Sequence, residues 1–182
     1  MWGKRPKAIA DEDRVIKNVE KSRERTMTRA VNLLAAKPRA VAELRERLLE
    51  KAWTNHEIVD RVIEKLKEYG YLDDEQYASD LALSRLRERP QGKRRLQQML
   101  SQKQLDKTIV EDAIKSAFEK IPEEDLITAA IEKRVRLKGR PQTREDLKKF
   151  YDHLLRRGFS YSLIREKMNS VGGPGPDEEM MD

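Results

Sequence analysis

The sequence predicts an all-α protein, built as an elongated tandem array of three three-helix repeats and followed by a flexible acidic C-terminal tail. No run of alternating β-branched residues indicates a strand. Past Pro6 and before residue 172, glycines and prolines fall between apolar-periodic segments, where helices need caps or turns. The apolar positions of one segment also recur at a nearly constant spacing in the next two, as tandem repeats require.

Residues 1–25 are predicted to form a basic N-terminal extension that is helical only in part. Residues 1–10 have no apolar periodicity. Residues 11–25 are compatible with a charged helix that Asp11 caps, although its apolar face is thin. At the other end, residues 172–182 carry four acidic and no basic side chains, the composition of a disordered acidic tail.

Three repeats are predicted between these ends: 26–71, 72–121 and 122–171. The expected helices are 26–36, 40–52 and 55–69, then 74–88, 93–104 and 107–120, then 123–138, 144–157 and 161–170. Adding 52 to the apolar positions of the first repeat, and 54 more for the third, gives three matched sets. The sets are Leu44, Leu48, Trp53, Ile58, Val62 and Leu66; Leu96, Leu100, Leu105, Val110, Ile114 and Phe118; and Phe150, Leu154, Phe159, Ile164 and Met168.

Polar residues repeat in the same register. Thr54, Asp106 and Ser160 each follow a bulky apolar residue and are predicted N-caps, with Thr54 and Glu57 forming a capping box. A basic residue and proline recur at Lys37-Pro38, Arg89-Pro90 and Arg140-Pro141, at steps of 52 and 51. Between the second and third repeats the turn moves by 51 residues, whereas the apolar positions that follow it move by 54. The last repeat therefore needs a connection or second helix about three residues longer.

The junction between the first two repeats has a clear helix-end pattern. Gly70 suits the left-handed position that ends a helix, so Tyr71 and Leu72 are expected to fold back on its apolar face. Asp73 is the expected cap of the next helix, with Gln76 as its capping-box partner.

One large apolar residue stands between the second and third helices of each repeat. Trp53, Leu105 and Phe159 are interpreted as core residues in preference to a binding aromatic surface. On the second helices, Leu48 and its equivalents are likewise expected to be buried.

Composition excludes several chemistries. There is no cysteine and only His56 and His153, so disulfides, thiolate metal sites and His-rich metal sites are not expected. Three acids at 73–75 suit a helix N-terminus better than a metal site. No phosphate-binding loop or local nucleophile–base pair is present. We therefore expect a protein without cofactor or catalytic residues and, lacking a signal peptide or an apolar run of membrane length, a cytoplasmic one.

Basic clusters are the candidate functional residues. They surround equivalent turns of the three repeats, and few acidic residues lie nearby in the sequence. Such an edge would attract a polyanion or an acidic protein surface, whereas the alternative is a set of solvated faces that keeps the protein soluble. The candidates are Lys37, Arg39, Arg85, Arg87, Arg89, Lys93, Arg94, Arg95, Lys133, Arg134, Arg136, Lys138, Arg140 and Arg144.

Four segments resemble one family. The string LKEYGYLDDEQYASDLALSR at 66–85 is similar to the signature of the RecX family of recombinase regulators. The segments AVNLLAAKPRAVAELRERL (30–48), QGKRRLQQMLSQKQL (91–105) and LLRRGFSYSLI (154–164) resemble its first, second and third units. Two positions differ: Ala40 replaces a common serine N-cap, and Gln104 replaces a common glycine at a helix end.

The resemblance implies a non-enzymatic, monomeric regulator made of three-helix units. It implies binding to the RecA recombinase, especially its filament on single-stranded DNA, with inhibition of ATP hydrolysis, strand exchange and filament growth. Direct DNA contact is possible in such a protein. The alternative is a DNA- or RNA-binding helical module, such as a transcription regulator, since three short helices can present one to a groove. A nucleic-acid hydrolase is disfavoured because the residues for metal or acid–base catalysis are missing.

Overall fold

A computed structural model of the chain describes residues 9–170, and all of its regular structure there is helical. A short 3₁₀ helix, Asp11–Asp13, precedes the nine α-helices of this part of the chain. These are α1 (Val19–Ala36), α2 (Val41–Leu49), α3 (His56–Glu68), α4 (Asp74–Glu88), α5 (Lys93–Ser101), α6 (Lys107–Lys120), α7 (Glu123–Lys138), α8 (Arg144–Arg156) and α9 (Tyr161–Ser170). The three predicted sets of three helices are therefore confirmed. The predicted acidic tail lies outside the described residues.

The chain forms two compact parts. The first part runs to Tyr77 and takes in Lys103–Leu105, and the second part holds Ala78–Gln102 and the chain from Asp106 onward. In the first part, α1, α2 and α3 pack against one another around one apolar cluster. That cluster contains Ala30, Leu44, Leu48, Val59, Val62, Ile63, Leu66 and Leu72. In the second part, α5 packs on α6, and α7, α8 and α9 form a mutual three-helix contact.

The predicted repeat register matches burial closely. Leu48, Leu100 and Leu154 are each fully buried on the second helix of their repeat. The other matched positions are buried too, except that Trp53, Leu105 and Phe118 are only partly covered. The prediction that this position is in the core is confirmed for Phe159, which is 0% exposed, and only in part for Trp53 and Leu105, which keep some exposed surface.

The extra residues of the third repeat lie inside its second helix. Helices α2 and α5 have 9 residues each, and α8 has 13. All three start three residues after the proline of their turn, at Val41, Lys93 and Arg144. The insertion therefore lengthens α8 towards its C-terminus.

The junction after α3 follows the predicted helix-end geometry. Gly70 has φ +74°, its N–H donates to the Lys67 carbonyl, and the Tyr71 N–H donates to the Leu66 carbonyl at 2.8 Å. Leu72 folds back into the apolar cluster, but Tyr71 stays 67% exposed, which corrects its predicted packing. Asp73 caps α4, since its Oδ1 accepts from the backbone N–H groups of Glu75 and Gln76 at 2.9 and 3.0 Å.

The prediction that Thr54 is the N-cap of α3 and forms a capping box with Glu57 is wrong. Asn55 is the cap, because its Oδ1 accepts from the Ile58 N–H at 3.0 Å. Thr54 is instead 0% exposed, and its hydroxyl bonds that of Thr26 at 2.9 Å. The Thr26 hydroxyl also bonds the Ser22 carbonyl at 2.7 Å, and the buried Thr54 hydroxyl takes Thr26 as its partner in place of the α3 backbone. Ser160 does cap its helix, accepting from the Leu163 N–H, whereas Asp106 occupies the cap position of α6 without a side-chain bond.

The N-terminal extension does not form a helix over 11–25. After the 3₁₀ turn the backbone is irregular until Asn18 caps α1, accepting from the Lys21 N–H at 2.9 Å. Arg14 holds this segment against the α2–α3 loop, with its side chain only 2% exposed. Its guanidinium donates to the carbonyls of Leu49, Lys51 and Thr54 at 3.0–3.1 Å, so this loop bonds the segment that precedes α1.

Candidate nucleoprotein interface

Most of the predicted basic residues are solvent-exposed, as an interface requires. Lys37 and Arg39 lie in the first compact part and the other twelve lie in the second. Arg39 and Arg134 are partly buried, and the remaining twelve are exposed. The second compact part therefore holds nearly all of the candidate cations.

Local ion pairs remove some of these cations from the set. Arg39 pairs with Glu43 and also donates to the Leu33 carbonyl, so it stabilises the start of α2. Arg85 pairs with Glu88 at 2.8 Å along α4. Both acids stand three or four residues after their arginine, the spacing at which helix side chains meet, so these two arginines have local structural partners.

Among the exposed candidate cations of the second compact part, eight have neither an ion pair nor a side-chain hydrogen bond to another residue of 9–170. They lie at the end of α4, in the following turn, at the start of α5, and at the end of α7 with its turn. The eight are Arg87, Arg89, Lys93, Arg94, Lys133, Arg136, Lys138 and Arg140. They give the second compact part a surface charge that its own described acids do not neutralise locally.

The turn before α5 is fixed by the α8–α9 turn. The Gly92 N–H donates to the Arg157 carbonyl at 2.9 Å, and the Arg157 guanidinium donates back to the Pro90 carbonyl at 2.8 Å. A Cβ on Gly92 would lie 2.3 Å from the Gly158 oxygen, and one on Gly158 would lie 2.4 Å from the Arg95 nitrogen. Two glycines therefore allow two backbones to touch and bring the basic turn against α8.

Arg157 is affected by cations of both predicted clusters. Burial, then the charges of Arg89 and Arg134, lower the pKa of Arg157 from its usual value. Burial, then the charges of Arg134, Arg157 and Arg156, also lower the pKa of His153. We call Arg89, Arg134, Arg156 and Arg157 the arginine junction. The charges of Arg89 and Arg134 disfavour the charged form of Arg157, so a polyanion bound there would reduce that repulsion.

Two members of the arginine junction were missed by the sequence prediction. Arg156 and Arg157 belong to the string LLRRGFSYSLI, which itself contains no acid, and that was the available signal. Arg134 was predicted, but its guanidinium lies 5.3 Å from the centre of the Phe150 ring and donates to the Lys149 carbonyl at 3.4 Å. It therefore links α7 to α8 as well as contributing charge.

The described residues contain no assembled metal site or membrane-spanning segment. Between residues 9 and 170, no three His, Asp or Glu side chains come together as metal ligands would. Over the same range, no helix combines the length and apolar character that crossing a membrane needs. The acids at 73–75 lie at the start of α4, where Asp73 caps the helix.

Fold and surface together define a tandem three-helix protein with a basic, acid-poor turn region. Three domain models match it in order: RecX first three-helix domain at 27–66, second at 73–114 and third at 122–168. The chain belongs to the RecX family of regulatory proteins.

Relatives and solved structures agree with this assignment. The regulatory protein RecX of Chlorobium limicola is 32% identical over 150 residues, which are 82% of this chain and 91% of that protein. RecX of Finegoldia magna is 33% identical over 138 residues, 75% of this chain and 67% of that protein. The crystal structure of RecX from Lactobacillus salivarius has a TM-score of 0.72 at 22% identity, covering 84% of this chain and 97% of that one. Another RecX structure has a TM-score of 0.66 at 22% identity, covering 81% and 73%. These two likenesses concern the fold.

Proposed function

We propose that this chain binds the RecA recombinase and its filament on single-stranded DNA, as a cytoplasmic monomer. Binding inhibits ATP hydrolysis, strand exchange and filament growth, and so modulates recombination and DNA repair. The protein acts by occupancy and carries no catalytic residue. Membership of a family of regulatory proteins supports this proposal, together with the charge of the second compact part.

The observation that carries the proposal is the group of exposed cations without local counter-charges. The end of α4 and its turn provide Arg87 and Arg89, and α5 begins with Lys93 and Arg94. A nucleoprotein filament presents phosphates and acidic protein side chains, both of which attract such a surface. The arginine junction beside it gains further, because an anion there reduces the repulsion around Arg157.

Direct DNA binding without recombinase is the second candidate function. The arginine junction favours it, since guanidinium groups bind phosphate in bidentate geometry and the charges of Arg89 and Arg134 act on Arg157. The two functions differ in what they require. A filament regulator needs the recombinase lattice, and a DNA-binding module binds bare oligonucleotide with comparable affinity.

Co-sedimentation separates the two candidates. Wild-type protein is mixed with recombinase filaments on single-stranded DNA, or with bare single-stranded DNA, across a salt series. The test variant replaces Arg87, Arg89, Arg94 and Arg95 by Gln. The control variant replaces four exposed cations of third helices by Gln, so that net charge changes equally: Lys65, Lys67, Lys115 and Lys120.

We expect the test variant to lose filament binding and the control to keep it. If side chains neutralise DNA phosphates, the logarithmic salt slope falls by about 0.7 for each single-strand phosphate that the variant no longer neutralises. Wild-type binding to bare DNA as tight as to the filament would support the second function instead. Equal filament affinity for test and control variants would contradict the assignment of the interface.

A further inference from the structure

Trp53 lines a surface cleft in the first compact part. The residue belongs to the α2–α3 loop, and its side chain is only partly buried, unlike the equivalent Phe159. The guanidinium of Arg25, on α1, lies over the indole at 4.4 Å from the ring centre. The cleft between α1 and the loop is lined by Arg25, Thr28, Arg29, Asn32, Leu33, Lys51 and Trp53.

The charge of this cleft is positive and mostly uncompensated. Three of its seven lining side chains are cationic and none is acidic. Arg29 lies 3.7 Å from Glu50, and its Nε is buried without a hydrogen-bond partner. Arg25 and Lys51 have no carboxylate within 4 Å among residues 9–170. An anion entering the cleft therefore meets two cations without an ion pair and one that is partly paired.

The remaining lining groups select among anions. The stacked indole and guanidinium form a planar, polarisable surface of the kind on which nucleobases stack. The Thr28 hydroxyl donates to the Glu24 carbonyl at 3.0 Å and so offers a ligand its acceptor lone pairs. The Asn32 amide can donate to or accept from base edges or sugar, and Leu33 adds an apolar wall. An acidic peptide would use the cations alone, whereas a nucleotide would use every lining group.

We propose that this cleft binds one nucleotide unit of single-stranded DNA, its base stacked on the Arg25–Trp53 pair and its phosphate beside Arg29 and Lys51. The site is separate from the predicted basic clusters, because none of its residues belongs to them. Binding at this site needs no recombinase, so it can be tested independently of the filament proposal.

The test uses Trp53 as its own reporter. The chain has two tryptophans, so the full-length Trp2→Phe variant leaves Trp53 as the single indole fluorophore. Titration with oligothymidylate of about 12 nucleotides is expected to quench that emission, because a stacked base quenches indole, and to do so less as salt rises. Polyglutamate at equal charge serves as the acidic-peptide control and is expected to leave the emission nearly unchanged.

Substitutions locate the binding site. In the Trp2→Phe background, Arg25→Gln with Lys51→Gln should weaken the oligonucleotide titration, and Lys65→Gln with Lys67→Gln is the charge-matched control on α3. In the wild-type chain, Trp53→Ala should weaken anisotropy-measured binding of labelled oligonucleotide by about 5- to 150-fold, the range for loss of one stacked base. Trp53→Phe keeps a stacking face and should keep most of the affinity.

Three outcomes would overturn the proposal. Oligothymidylate that binds without quenching Trp53 would place DNA elsewhere on the chain, and this readout needs no destabilising change. Equal quenching by polyglutamate would mean an acidic-peptide site. Equal weakening by the cleft and control pairs would mean that only net charge matters.

Discussion

Asp74, the first residue of α4, accepts a hydrogen bond at 2.9 Å from the backbone N–H of Val41, the first residue of α2. Residue 40 is an alanine and offers no side-chain cap, so a carboxylate from the next repeat supplies the missing acceptor. The same device recurs in the second part, where Glu123 at the start of α7 accepts from the Lys93 N–H of α5 at 2.9 Å. One helix start in each of two repeats is thus satisfied by the following repeat.

Removing the Asp74 carboxylate should destabilise the first compact part. Asp74→Ala leaves the Val41 N–H without its acceptor, and loss of an N-cap typically costs about 0.5–2 kcal/mol. Asp74→Asn retains an acceptor oxygen and should cost less. Glu75→Ala is the matched control, since Glu75 is exposed in the same helical turn. Urea unfolding measures all three, and equal stability of Asp74→Ala and Glu75→Ala would contradict the cap.

Arg14 should be among the most sensitive polar residues of the chain. Its guanidinium donates to the carbonyl of Leu49 at the end of α2, to two carbonyls of the α2–α3 loop and to the Ile9 carbonyl at 2.7 Å. Arg14→Ala removes the guanidinium donor from four partly buried carbonyls, of which that of Lys51 keeps a bond at 3.4 Å from the Thr54 N–H. Each buried acceptor left unpaired costs about 1–3 kcal/mol unless water replaces the donor. We expect destabilisation above about 2 kcal/mol by urea unfolding.

Two further variants separate bonding from charge at this position. Arg14→Lys keeps the charge but lacks the planar guanidinium whose several N–H donors reach different carbonyls, so it should restore little of the lost stability. Lys17→Ala removes an exposed charge from the same segment and should change stability by less than about 0.5 kcal/mol. If Arg14→Lys were as stable as wild type, charge alone would explain the effect.

The helices and their register could be predicted because they follow from apolar periodicity, which is local in sequence. The backbone of Gln104 was not predicted. It adopts a left-handed φ of +57°, and its side chain donates to Glu46 at 2.8 Å. The capping of α3 could not be assigned in this way, because Thr54 and Asn55 both carry suitable oxygens. A distant residue, Thr26, decides between them by pairing with Thr54 in the core.

The candidate site was predicted only in part for a related reason. A count of charged residues finds exposed cations such as Arg87 and Arg94, but it does not show which backbones touch. Arg157 joins the basic turn through the close approach of Gly92 and Gly158, which are 66 positions apart in the chain. Arg14 was missed because a lone arginine in an irregular segment gives no periodic signal.

Alanine substitutions at three glycines should separate the loss of stability caused by steric overlap from the loss caused by backbone strain. Gly92 has φ −82°, which any residue adopts, but an added Cβ would meet the Gly158 carbonyl at 2.3 Å. Gly70 has nothing within 4 Å and only the strain of φ +74°. We expect Gly92→Ala to cost at the upper end of about 1–3 kcal/mol or more, and Gly70→Ala about 1 kcal/mol.

Gly158→Ala should be the most damaging of the three. Its φ is +87° and its Cβ would meet the Arg95 backbone, so it incurs both costs. Thermal unfolding followed by circular dichroism gives the order of the three variants. A smaller effect for Gly92→Ala than for Gly70→Ala would show that the two backbones are not in close contact.

His153 should make the stability of the second compact part depend on pH below neutrality. Burial, then the charges of Arg134, Arg157 and Arg156, lower its pKa from 6.5, so the folded state binds its proton less readily than the unfolded state. The contribution of neutral His153 to the free energy of unfolding is therefore fully present above about pH 6.5, and it is lost as the pH falls towards the folded-state pKa. Replacing it by glutamine should flatten that decline, while His56→Gln, in the first part, serves as the control.

The same histidine should report on polyanion binding at the arginine junction. A bound phosphate chain offsets the charges of Arg134, Arg156 and Arg157, which favours the imidazolium form and raises the pKa of His153. Imidazole resonances titrated by NMR, with and without single-stranded DNA or the recombinase filament, give this shift directly. The chain has two histidines, so the His56→Gln variant assigns the signal without ambiguity. An unchanged His153 pKa in a saturated complex would place the bound polyanion away from the arginine junction.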